Sequence, residues 1–83
     1  MTVPADEIER WIARRVGELA GVPAADVDVQ APVETAGLDS VQWLVLTADL
    51  ENWLGFRFRS DPLDACPTIA ALARFVADEA AAR

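Results

Sequence analysis

The chain contains no histidine, no lysine and no tyrosine, and its single cysteine is Cys66. A serine nucleophile ordinarily works beside a histidine or lysine that takes its proton, so hydrolysis by this chain alone is not expected. The G-x-S-x-G elbow of the hydrolases is missing as well. One cysteine cannot close an internal disulfide, and no metal-ligand spacing accompanies it. No apolar run approaches the ~20 residues of a membrane span, which speaks against a membrane partner. The start, MTVPADEIER, lacks a basic region followed by an apolar stretch, so a secretory leader is not expected. The sequence reads as soluble and cytoplasmic. Positive charge is scarce, 7 basic residues against 14 acidic and a formal net charge of −7. Nucleic acid is therefore not an expected partner, because phosphate binding needs clustered Lys and Arg. Basic protein surfaces are, through long-range attraction.

What is present suffices for one small domain over residues 1–83. Hydrophobic residues make up 53% of the 83, and a chain of that length buries roughly 60–70% of its unfolded surface in one core. From about Pro4 to Ala20, Ile8, Trp11, Ile12, Val16 and Leu19 recur at helical spacing, with Asp6, Glu7 and Glu9 early and Gly21 as the stop. Residues 21–37 mix Pro, Gly and Asp with Val27, Val29 and Val33, which reads as a long loop holding one short turn. A second helix is predicted from Ser40 to Leu54, ended by Gly55. Asp39 caps it, Gln42 completes a capping box, and Leu38 and Trp43 are spaced for a hydrophobic staple. "FRFRS" follows as an extended segment, and "DPLDA" as a single helical turn capped by Asp61. The last helix opens at Thr68 with Ile69, Leu72, Phe75 and Val76 inward, and the tail "ADEAAAR" is expected to fray. The fold class is all-α, three helices plus a short one.

At about 100° per residue, Trp43, Leu46, Thr47, Leu50, Trp53 and Leu54 share one side of the second helix and form its core stripe. Val41, Leu44, Val45 and Ala48 gather on another side. A domain this small has little left to cover them, so they form a docking surface unless the long loop or the short helix lies over them. Ser40 begins the same helix. Asp39 already caps it, so the serine is not needed for that role. At the first helical position its hydroxyl lies near free backbone amides and the positive end of the helix, where a phosphate ester is favourably placed. Cys66 reads as a small packed residue, Trp11 and Trp53 as core or core edge, and Arg57 and Arg59 as a solvated face.

"GLDSVQWLVLTADLENWLG" followed by "PTIAALARFV" closely resembles the acyl carrier protein family, in the version found in modular polyketide synthases. The resemblance runs over nearly the whole chain, from "IERWIARRVGELAGV" to "TIAALARFV". It implies a four-helix bundle with a short third helix. It implies that Ser40 carries 4′-phosphopantetheine, whose thiol holds acyl intermediates as thioesters, with Asp39 as the family's aspartate. It implies, further, that the helix after the serine, with Asp39, Val41, Leu44, Val45 and Ala48, docks on a phosphopantetheinyl transferase and on a ketosynthase, an acyltransferase or an acyl-activating ligase. The chain would then act as a monomeric carrier and not as an enzyme. Leu38 stands where peptidyl carriers of nonribosomal synthetases commonly have a second glycine, which favours the acyl class. Asp64 stands where an apolar or aromatic residue often precedes the P-T-I segment and lines the path of the acyl chain. The alternatives are a peptidyl carrier and a carrier-like docking module that is never modified.

Overall fold

The computed structural model describes residues 3–59, 61–64 and 66–82, the side chain of Asp64 excepted; the expectation placed on Asp64 lies outside the described side chains. Three α-helices order the chain: α1 (Ala5–Ala20), α2 (Ser40–Leu54) and α3 (Ile69–Ala81). Among the described residues there is no strand, and the fold is all-helical.

Each helix boundary has a local cause. Pro4 precedes α1 in extended conformation, and its carbonyl accepts the amides of Glu7 and Ile8 at 3.1 and 3.2 Å. Gly21 and Gly55 end α1 and α2 with φ of 78° and 82°, the left-handed conformation that costs glycine nothing. At the start of α3, Thr68 Oγ1 accepts the Ala71 amide at 3.1 Å. The helix runs on to Ala81, and Ala80 continues the inward row of Ile69, Leu72, Ala73 and Val76 and is fully buried.

One core holds the three helices together. Ile8, Ile12 and Val16 of α1 meet Trp43, Leu46, Leu50 and Leu54 of α2 and the inward row of α3. Two members of the expected α2 stripe lie outside it: Thr47 is half-buried, and Trp53 is 39% exposed. Trp53 sits at the edge of the stripe, to one side of Leu54, which stays buried in the same last turn of α2. Its indole stacks flat on Trp11 of α1, with ring centroids 5.2 Å apart and planes 1° from parallel. Arg15 of α1 reaches Asp49 of α2, Nε and Nη2 donating to Oδ2 at 3.0 and 2.8 Å.

The long connection holds two 3₁₀ turns, Ala24–Asp26 and Val33–Ala36, where the sequence suggested one. It is sewn to the start of α3: Ala70 donates to the Val29 carbonyl and Val33 to that of Pro67, each at 2.9 Å. After α2, the expected short third helix is a 3₁₀ turn, Pro62–Asp64, with Asp61 Oδ1 accepting the Leu63 amide at 3.0 Å. Three residues cannot close an α-helical turn, so the described α-helices number three.

Gly17 carries an expectation against helix propensity. Alanine normally stabilises a helix interior by about 1 kcal/mol over glycine. A Cβ at Gly17, however, would lie 2.6 Å from the Val22 carbonyl oxygen and 3.3 Å from the Ala24 amide nitrogen. Both neighbours are backbone, held where the amides of Gly21 and Val22 donate to the Gly17 carbonyl. Gly17→Ala should therefore destabilise, by about 1–3 kcal/mol as overpacked sites do. A thermal melt decides, and an unchanged or higher midpoint would show that the loop gives way freely.

Candidate functional site

The site is built on the first turn of α2. Asp39, in extended conformation, accepts the Gln42 amide on Oδ1 at 2.8 Å, and its own amide donates to Gln42 Oε1 at 3.0 Å, a complete capping box. The Gln42 side-chain amide also donates to the Leu19 carbonyl at 3.2 Å, which ties the end of α1 to the start of α2. The cap is thus anchored from two directions. It satisfies the amide of Gln42, while those of Ser40 and Val41 have no acceptor within the helix.

Ser40 occupies the first helical position and is exposed. Its hydroxyl differs from the others among the described residues. Thr35 donates to the Pro32 carbonyl, Thr47 to the Trp43 carbonyl, and Thr68 caps α3. Ser40 alone of these makes no hydrogen bond to the protein. Cys66, the other conceivable point of attachment, is only 6% exposed, and burial pushes its thiol above its ordinary pKa of 9.0. It is the inert packed residue that the sequence suggested.

The second face of α2 is uncovered. Val41 and Leu44 are 66% and 65% exposed, Val45 is 41% exposed, and Ala48 is exposed beside them. Neither the long loop nor the Pro62–Asp64 turn lies over them. The five positions read as a docking set, Asp39 included, fall on one accessible side next to Ser40.

Between that face and the core stripe runs a groove of about 610 Å³. On α2 it is lined by Ser40, Trp43, Leu44, Thr47 and Glu51, and across from them by Phe58, Arg59, Asp61, Pro62 and Leu63. The Phe58 amide donates to Glu51 Oε2 at 2.8 Å, which fixes Phe58 beside the helix. Sequence reasoning did not find this groove. Thr47 was assigned to the core but is half-buried and lines the groove, and Arg59, exposed as expected, lines it too. The spacing of Ser40, Leu44, Thr47 and Glu51 on one helical stripe was a usable signal, but nothing local showed which segment would form the far wall.

Among the described residues no group of three or more Cys, Asp or Glu is placed to hold a metal ion, and no helix is long and apolar enough to cross a membrane. Comparison with known proteins gives two findings. The family described as "Phosphopantetheine attachment site" matches residues 10–76. The acyl carrier protein TtuC of Teredinibacter turnerae is 28% identical over 76 residues, spanning 92% of this chain and 87% of that protein.

Proposed function

Because the chain belongs to the phosphopantetheine attachment site family, and its covalent cofactor is therefore 4′-phosphopantetheine, we propose that Ser40 bears that group and that the protein carries acyl chains between enzymes. The carrying observation is the Ser40 hydroxyl: exposed, without a protein partner, and set at the start of a capped helix. The residues present fit the group. The unpaired amides of Ser40 and Val41 and the positive end of α2 favour a phosphodiester there. When attached, the group supplies a terminal thiol that holds acyl chains as thioesters.

The rest of the chemistry falls to partners. Transfer from coenzyme A joins Ser40 Oγ to phosphorus, breaks the anhydride bond to the nucleotide and releases the serine proton. This chain has no histidine or lysine to take that proton, and the neighbouring Asp39 carboxylate is engaged in the helix cap, which leaves the base to the phosphopantetheinyl transferase. Docking falls to Asp39, Val41, Leu44, Val45 and Ala48, an apolar patch on an acidic protein, which suits basic-rimmed partners. An acyl rather than an aminoacyl cargo is supported by Leu38 and by the acyl carrier protein TtuC. A ketosynthase, an acyltransferase or an acyl-activating ligase then exchanges it. The sequence pattern favours polyketide over fatty-acid assembly, with a single monomeric carrier domain working in the cytoplasm.

The test is intact mass. Incubation with a broad-specificity transferase and coenzyme A should add one phosphopantetheine group to the protein. An unchanged mass, with a known carrier modified in parallel, would leave the chain as an unmodified docking module.

A further inference from the structure

The groove beside Ser40 changes character along its length. Ser40, Leu44, Thr47 and Glu51 succeed one another along α2, so the groove extends over about 16 Å of helix at ~1.5 Å per residue. Near Ser40 its helical wall is the indole of Trp43 and the side chain of Leu44. At the other end stands Glu51, one oxygen of which holds the Phe58 amide. Arg59 follows Phe58 directly and also lines the groove.

Three groups there retain hydrogen-bonding capacity. Glu51 keeps its second carboxylate oxygen. The Arg59 guanidinium has no hydrogen-bond or ion-pair partner among the described residues. Thr47 spends its proton on the Trp43 carbonyl and keeps its lone pairs. A saturated chain lying over these groups would take them from water and return nothing. A hydroxyl can donate to Glu51 and accept from Arg59, and a keto oxygen can accept from Arg59. A carboxylate on the chain gains less, because Glu51 and Asp61 together outweigh the one guanidinium lining the groove.

We infer that Glu51 and Arg59 form a specificity element that favours acyl chains bearing neutral oxygen functions over saturated chains of equal length. The inference rests on Ser40 being the point of attachment. The protein is loaded with a saturated, a β-hydroxy and a β-keto chain of the same length. Thioester cleavage by hydroxylamine is timed against the same thioesters on free pantetheine, and the amide resonances of Phe58 and Arg59 are followed by NMR. The oxygenated chains should be protected roughly two- to tenfold more than the saturated one, the range of one net hydrogen bond. Arg59→Ala should remove the difference, Arg59→Lys should restore part of it, and neither should move the melting midpoint, since Arg59 is exposed. Equal protection of all three chains, or an unchanged difference in Arg59→Ala, overturns the inference. If mass shows no group on Ser40, the attachment reading fails instead. The same chains, carried on a linker of pantetheine length coupled by thioether to Ser40→Cys in a Cys66→Ala background, then test the groove alone. Larger Phe58 and Arg59 shifts with the oxygenated chains support the specificity element, and identical shifts sink it.

Discussion

Ser40→Ala should melt like the parent protein and take up no phosphopantetheine. The side chain is exposed and makes no protein hydrogen bond, and the helix is capped by Asp39, not by Ser40. Alanine is a good residue for the first turn, so stability should stay within roughly 0.5 kcal/mol. Modification should nevertheless fall to zero, because the bond to phosphorus has no other exposed and unengaged hydroxyl among the described residues. Circular dichroism on heating and intact mass after the transferase reaction read the two quantities separately. Full modification of the alanine variant would place the attachment elsewhere.

The second large effect contrasts two leucines of one helix. Leu50 is 1% exposed at the centre of the core, whereas Leu44 is 65% exposed. Leu50→Ala should destabilise by about 2–5 kcal/mol through lost burial and the cavity left behind. Against the roughly 4–12 kcal/mol expected for a domain of this length, that is a large share. Leu44→Arg should leave the melt within roughly 0.5 kcal/mol. It should slow phosphopantetheine transfer about fivefold or more, since it removes an apolar contact and sets a charge against basic partners. Denaturant melts and transferase kinetics on both variants settle the matter. If Leu44→Arg unfolds as readily as Leu50→Ala, Leu44 belongs to the core. If it is stable and transfers at the parent rate, the exposed face takes no part in docking.

How far the sequence spoke for itself depended on distance along the chain. The bounds of α2 were legible from Asp39, Gln42 and Gly55 because capping is settled within four residues. The separation of Leu50 from Leu44 followed from the period of the helix, and the structure places them as that period implied. Trp53 was legible only in part: the period put it on the stripe, but its stacking on Trp11 at the core edge depends on where α1 lies. The second 3₁₀ turn, the burial of Ala80 near the end of α3 and the far wall of the groove all depend on partners distant in sequence. Ser40 was singled out because a serine behind a sufficient cap needs another reason. The open hydroxyl is what the structure adds to that.

The two backbone bonds that sew residues 29 and 33 to the start of α3 bear on how the molecule breathes. The Ala70 amide lies in the first turn of α3, where helices ordinarily fray first and independently of their surroundings. Here it is held by Val29 from the long connection. Opening that end of the helix thus requires the connection to detach, and detaching the connection strips the helix of an acceptor no water-exposed turn would replace in place. The two segments, some forty residues apart along the chain, therefore form one cooperative unit of local unfolding. Motion of the loop is then coupled to the start of α3, while the first turn of α2 is capped by Asp39 and Gln42 and tied to the end of α1 instead.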